Sequence, residues 1–401
     1  MECESTLSVE SGQAEAAARA LLAKALELTG APPRVKIHPS YRLCAATALN
    51  QELRVSLHSA ISSLGVAGFL LPDPRYSLSI VPVSQQEFAA FERAAAGCIW
   101  DELATELGEQ RLERLFATGV LTGDLGLGAW SGPVVPVLMR AKRDGSATLP
   151  VPTDPLSGRA VFHGARLPIR NQTVLAARLY LFNHAGVSAR GALDAAARET
   201  DRVLSSDAAP GYDELPQSRS NPGWRFFRNR RIAGEQGSGS YKVYISPSVA
   251  DLPRAVSELL ELLPAVPAHT WKIGRGHFGI TRCDKVCLYF HEKHEMQSAA
   301  RLLAGRLQGI SAQGVPFTAC ATQDGLVSCG ADAPRGGSGL GEEQGLSWRA
   351  WVAEKLARGM YLSRTPERYP LSAAQSALWS VRLCGVEPST WEVLDRDFWR
   401  H

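Results

Sequence analysis

At 401 residues the chain can hold two or three domains, each with an ordinary core. Its 45% hydrophobic and 21% charged residues exclude a disordered polymer. A net charge of +3 excludes wholesale attraction to nucleic acid and leaves room only for a local basic groove. The opening MECESTLSVESGQAEAAARA lacks a basic segment followed by an apolar one, so no secretory signal is legible. No apolar run nears the ~20 residues of a membrane helix. A cytoplasmic protein with no membrane and no nucleic-acid partner is expected. The eight cysteines form no CxxC pair, and their scatter through apolar stretches predicts reduced, buried thiols. Cys283 and Cys287 read as a strand interior rather than half of a metal site.

In chain order, Ala14 to Thr29 reads as a helix closed by Gly30 and two prolines. Ser40 to Leu64 reads as one or two more, ending at Gly65. Tyr76 to Val83 is a short strand or extended link. Ser84 caps a helix with Phe88, Phe91 and Ala95 on one stripe, running through Trp100. Another helix spans Asp101 to Phe116. Val134 to Arg140 and Ala160 to Pro168 alternate like strands, Leu175 to Phe182 is a strand or the start of a helix, and Gly191 to Ser205 is a helix.

Ser206 to Asn221 is polar and proline-bearing, which predicts a linker between residues 1–210 and 220–401. Trp224 to Arg231, WRFFRNRR, carries four arginines and no acid. A solvated face and a binding surface both fit it. Val249 to Leu263 is an amphipathic helix. Strands around Lys242, around Lys272 and from Lys285 to Phe290 frame it. A helix at His294 to Leu307 follows, then short strands, a glycine-rich loop from Arg335 to Gly345, a helix capped by Ser347, and helices at Ser372 to Leu383 and Pro388 to Phe398. The expected architecture is α+β: a mostly helical N-terminal region, then a small antiparallel sheet flanked by helices.

The cationic residues inside strand patterns carry the chemistry. Period-two geometry puts Lys242 and Tyr244 on one strand face and Val243 and Ile245 on the other. Lys272 lies between Trp271 and Ile273, with Arg275 and Arg282 close behind. A lysine in such a setting is either a surface-face residue or a partly desolvated amine with a lowered pKa that can act as a base, while arginines hold an anion. Lys242, Tyr244, Lys272 and Arg282 are therefore expected to share one cleft. Gly274, Gly276 and Gly279 match a dinucleotide fingerprint, but a strand follows instead of the required helix, so they read as a hairpin turn. His291 and His294 have the wrong spacing for a zinc helix. No metal or organic cofactor is expected.

YKVYISP, WKIGR, TRCDKVCLYF, GVPFTA, GLVSCGADAP and SWRAWVAEKLA lie between Gly239 and Ala357. On these the stretch resembles the HopA-type effector family and its relatives in lanthipeptide and thioamitide biosynthesis. Through them it is distantly similar to bacterial phosphothreonine lyases; residues 1–210 show no such resemblance. The resemblance implies a carbon–oxygen lyase that removes phosphate from phosphoserine or phosphothreonine in a peptide, beside a separate kinase. It implies Lys272 as the base, Lys242 as a substrate-orienting lysine, and Arg282, Arg275 and Arg349 as phosphate ligands. Tyr244 stands where the lyases carry a general-acid histidine, the main departure. A non-catalytic effector-like protein, or a peptide-binding module using the same groove, remains the alternative.

Overall fold

The computed structural model describes residues 34–58, 61, 66–73, 80–124, 129–144, 152–185, 190–206, 211–216, 222–232, 241–332, 346–364 and 371–394. The helix expected at Ala14 to Thr29 and the glycine-rich stretch from Arg335 lie outside them. The α+β expectation holds: helices surround several sheets, and every described strand pair is antiparallel.

The first half builds two small sheets. Strands β1 (Arg34–Ile37) and β2 (Tyr41–Ala45) are followed by helix α1 (Gln51–Ser56), β3 (Val66–Pro72) and β4 (Val81–Ser84). Tyr41–Ala45, expected to be helical, pairs along its whole length with β3, so tertiary pairing overrides its Ala/Leu-rich local preference. Ser84 caps α2 (Gln85–Ala96) with a reciprocal bond to Glu87, as its spacing predicts. The predicted continuation through Trp100 fails at Gly97, whose φ of 95° ends the helix. β5 (Cys98–Ile99), α3 (Trp100–Leu107) and α4 (Glu109–Ala117) follow, the last two separated by Gly108 at φ 76°. The single helix expected from Asp101 to Phe116 is thus two.

After β6 (Leu121–Asp124) and β7 (Ala129–Ser131) come three helices: α5 (Val134–Asp144), α6 (Pro155–Arg166) and α7 (Gln172–Tyr180). The first two correct the strand reading of Val134 to Arg140 and Ala160 to Pro168. In α6, Asp154 accepts from the Leu156 and Ser157 amides at 2.9 Å and Pro155 takes the first turn, a strong start signal. In α5, Pro136 sits in the first turn, where its missing N–H costs nothing.

Helix α8 (Arg190–Ser206) leads into a seven-stranded sheet. Its strands are β8 (Tyr212–Glu214), β9 (Trp224–Asn229), β10 (Tyr241–Ile245), β11 (Thr270–Gly274), β12 (Val286–Phe290), β13 (Ala319–Cys320) and β14 (Val327–Ala331), in the order β13-β14-β10-β12-β11-β9-β8. α9 (Leu252–Leu262), the short α10 (Gly276–Thr281) and α11 (Lys293–Arg306) connect them. Helices α12 (Trp348–Ser363) and α13 (Ala373–Leu383) follow. The helix expected at Pro388 to Phe398 is absent from its described part, where Val386–Glu387 and Glu392–Val393 form a small ladder.

Two cores result. One buries α8, α9 and α11 against one face of the large sheet, around Trp271, Leu259 and Leu303. The other joins the first half of the chain to α12 and α13, through Phe91, Phe116, Leu179, Trp348 and Leu356. The last helices therefore pack with residues from the first 182, across the boundary expected near 210–220. Each fully buried large side chain removes about 1.5–3 kcal/mol of apolar exposure from water. The second face of the large sheet is left at the seam between the cores.

Candidate functional site

Strand alternation sends Val243, Ile245, Trp271, Ile273 and Leu288 into the helix-covered core. Lys242, Tyr244, Lys272, Cys287 and Tyr289 therefore line the opposite face. Register puts Lys272 opposite Cys287, Cys287 opposite Tyr244, and Lys242 opposite Tyr289. The expected sharing of a strand face by Lys242 and Tyr244 is what β10 produces, and the register with β12 puts Lys272 on the same face of the sheet.

Cations and aromatic rings alternate across this face. The Lys242 amine lies 5.2 Å from the Tyr289 ring centroid, and the Lys272 amine 5.6 Å from the same ring. Lys272 also lies 4.2 Å from Trp224 and 5.9 Å from Phe226. The Arg282 guanidinium also lies over Trp224, 5.0 Å from its ring centroid, and over Tyr180 at 5.4 Å. Arg349 meets Tyr180 at 4.9 Å. Rings between the charges keep the cations apart and present negative π-faces to each of them.

Two carboxylates offset the four cations. Asp284 accepts from Arg282 Nε at 2.8 Å and Nη2 at 2.9 Å, and the Tyr180 hydroxyl takes a further Nη2 bond at 2.6 Å. Arg349 Nη1 lies 3.0 Å from the same carboxylate, close enough for an ion pair but not aligned as a hydrogen bond. Burial opposes ionisation of Asp284, yet the Arg349 and Arg282 charges outweigh it and hold the carboxyl well below its usual range. Asp332 takes the Lys242 amine at 2.5 Å and the Trp348 amide at 2.7 Å. It thus caps α12 in place of Ser347, whose side chain makes no capping bond.

Lys272 differs from the other cations. Among the described residues it makes no hydrogen bond and no ion pair, only its ring contacts. Burial lowers its pKa; Cys287 and Asp284 pull the other way, and Lys242 and Arg282 add to the lowering. Lys285 is also on this sheet face, fully buried, donating to the Pro247 carbonyl at 2.6 Å and to the Gln313 side chain. Burial brings it down to about 8. Burial pushes the Tyr244 hydroxyl well above its ordinary value, with Cys287 and Asp332 adding to the effect. It therefore stays a donor but becomes a weaker acid. His184, whose buried Nε2 has no hydrogen-bond partner among the described residues, is driven down to about 4 by burial and then by Arg282, so it is neutral near pH 7.

Arg275 is not part of the group. It stands exposed at the start of α10, where its charge reaches Glu214 on the helix-covered side. The glycines around it, read as a hairpin turn, instead end β11 at Gly274 and lie within α10 at Gly276 and Gly279. A Cβ at Gly279 would meet the Gly274 carbonyl carbon at 2.6 Å and the Gly223 oxygen at 2.8 Å, so only glycine allows this close packing. That packing fixes Trp224 beside Arg282. Sequence reasoning missed Tyr180, Asp284, Tyr289 and Asp332, and reached Trp224 only as the start of the WRFFRNRR run. Tyr289 was recoverable from the two-residue period of Lys285, Cys287 and Tyr289; Tyr180 had no signal linking it to a strand some 100 residues away.

No family model matches the sequence, and no curated protein sequence does. Solved structures do. The chain is similar to an effector protein from Pseudomonas syringae pv. tomato strain DC3000, at 9% identity and TM-score 0.39, over 59% of this chain and 96% of that one. An effector from Pseudomonas syringae pv. syringae strain 61 gives 10% and 0.36, over 60% and 100%. The type III effector/phosphothreonine lyase OspF from Shigella flexneri gives 14% and 0.27, over 35% and 89%. These are distant structural likenesses. Among the described residues no helix is long and apolar enough to cross a membrane, and no group of three or more His, Cys, Asp or Glu is placed to hold a metal.

Proposed function

We propose that the protein removes phosphate from phosphoserine or phosphothreonine in a peptide, leaving a dehydroamino acid, as a step in maturing a peptide natural product. The observation that carries this is the Lys272 amine: desolvated, without a polar partner among the described residues, and held between Lys242 and Arg282 by Trp224 and Tyr289. An ordinary lysine is protonated at neutral pH and cannot take a proton; burial and neighbouring cations move it toward one that can.

The phosphate dianion meets the free edge of Arg282, whose Nε and Nη2 are committed to Asp284 and Tyr180, and the Lys242 ammonium. Neutral Lys272 removes the Cα proton, its electron pair becomes the Cα=Cβ bond, and the Cβ–O bond breaks with its electrons on phosphate. Arginine and lysine stabilise the charge gathering on the departing oxygens. Tyr244 donates a hydrogen bond to the bridging oxygen or to a water beside it. The Arg282–Asp284–Arg349 knot, with Tyr180, fixes the guanidinium so that no reorganisation is needed as charge develops. A kinase acting on the same peptide supplies the substrate.

The test is a phosphopeptide incubated with the protein. The product must lose phosphoric acid, and the new alkene must add a thiol. Hydrolysis to a plain hydroxyl would make the protein a phosphatase. A second reading, an anion-binding module without chemistry, is favoured by the Lys242–Asp332 pair and by the weakened acidity of Tyr244. It takes over if phosphopeptide binds and survives intact.

A further inference from the structure

We propose that Lys272 also acts as a nucleophile, forming an imine with small aldehydes that carry a phosphate. Base and nucleophile need the same neutral amine, but they ask different things of the surroundings. A nucleophilic amine must be reachable, must not be tied up by hydrogen bonds, and must have room for a planar carbonyl beside it.

The three lysines on this sheet face separate on those points. Lys242 is held by Asp332, and Lys285 is fully buried and donates to two acceptors. Lys272 is only half-buried and has no polar partner among the described residues. Trp224, Phe226 and Tyr289 have their ring centroids 4.2, 5.9 and 5.6 Å from its amine, so apolar ring surface and not a competing acceptor stands beside it. Arg282 and Lys242 stand just beyond two of those rings and offer the cations for a phosphate. Burial, which weakens the hold of Lys272 on its proton, acts in the same direction.

The step balances without an added oxidant or reductant. The Nζ lone pair attacks the carbonyl carbon, the two amine protons pass in turn from nitrogen to the former carbonyl oxygen, and that oxygen leaves as water while the C=N bond forms. This inference shares the anion pocket with the lyase reading and none of its elimination chemistry.

The experiment treats the full chain with pyridoxal 5′-phosphate near neutral pH, reduces with borohydride, and maps adducts by peptide mass. One dominant adduct at Lys272 is expected, with pyridoxal lacking its phosphate reacting at least about tenfold less, equivalent to ~1.4 kcal/mol of phosphate recognition. Inorganic phosphate should protect the site, and Lys272→Arg should abolish the dominant adduct while leaving the circular-dichroism spectrum unchanged. Even labelling of the exposed Lys36 and Lys293, a dominant adduct at Lys242 or Lys285, or equal reactivity of pyridoxal would overturn the proposal. Selective labelling without elimination would sink only the lyase reading; elimination without selective labelling would sink only this one.

Discussion

The Lys272 amine lies 4.2 Å from the centroid of the Trp224 ring. This contact has two opposed effects. The π-face favours the ammonium by about 0.5–2 kcal/mol, while the indole keeps water from the amine and favours the neutral form. Burial lowers the Lys272 pKa, and the indole contributes to that burial. Trp224→Ala should therefore raise the Lys272 pKa and slow elimination at neutral pH about tenfold for each unit regained. Reductive methylation with labelled formaldehyde and NMR titration of the Lys272 signal reads the shift directly. A fall in pKa would show that the cation–π contact dominates.

Lys272→Ala should remove elimination, by roughly 10²–10⁴ as for a lost general base, while phosphopeptide affinity changes by less than about threefold. In the wild type, kcat should rise with pH as the ammonium loses its proton, and the midpoint should fall below the ordinary lysine value of about 10.4. A flat profile across the neutral and alkaline range would remove Lys272 from the base role.

Asp284 is the counter-ion of both Arg282 and Arg349, and all three are buried. Asp284→Asn leaves two guanidinium charges around a neutral amide. Breaking a buried pair in this way costs about 3–5 kcal/mol. Urea unfolding followed by tryptophan fluorescence should show the loss; a change under about 1 kcal/mol would mean water already screens the knot.

Lys285 gives stability a pH dependence of known sign. Its folded value of about 8 lies below that of an unfolded lysine, about 10.4. Below pH 8 both states hold the proton and the burial penalty is fully present. Between these values the unfolded state binds more protons, so stability rises with pH, by up to about 3 kcal/mol, then levels off. Lys285→Met should remove that rise. The comparison of the two stability–pH curves isolates it from the cysteines and tyrosines that also titrate there.

The large sheet was legible where its strands are buried. Tyr241–Ile245 and Val286–Phe290 are short apolar runs bounded by turns, with helices of clear period between them. Val134 to Arg140 and Ala160 to Pro168 misled because their branched and apolar residues mimic alternation, while the Asp154 cap and Pro155 went unread. Tyr41–Ala45 misled in the other direction: only its pairing with β3 makes it a strand. At the site, the shared face of Lys242 and Tyr244 follows from backbone period alone. The meeting of Tyr180, Asp284 and Arg349 does not, because it depends on how two cores dock.

Asp332 provides the sharpest test of where the substrate anion goes. Its Oδ1 accepts from the Lys242 amine at 2.5 Å and from the Trp348 amide at 2.7 Å, so an anion of the protein already occupies the cation next to Lys272. A substrate phosphate that reaches Lys242 must compete with this carboxylate. Asp332→Asn keeps an acceptor for the Trp348 amide, and so keeps the cap of α12, but removes the charge that holds Lys242. Phosphopeptide affinity at low ionic strength should rise, by about tenfold if the freed ammonium is worth ~1.4 kcal/mol to the dianion, and the gain should shrink as salt is added. Asp332→Ala should lose about 1 kcal/mol of stability in addition, because the cap goes too. Fluorescence anisotropy of a labelled phosphopeptide across a salt series distinguishes the cases. If Asp332→Asn instead weakens binding, the carboxylate positions Lys242 for the substrate rather than competing with it.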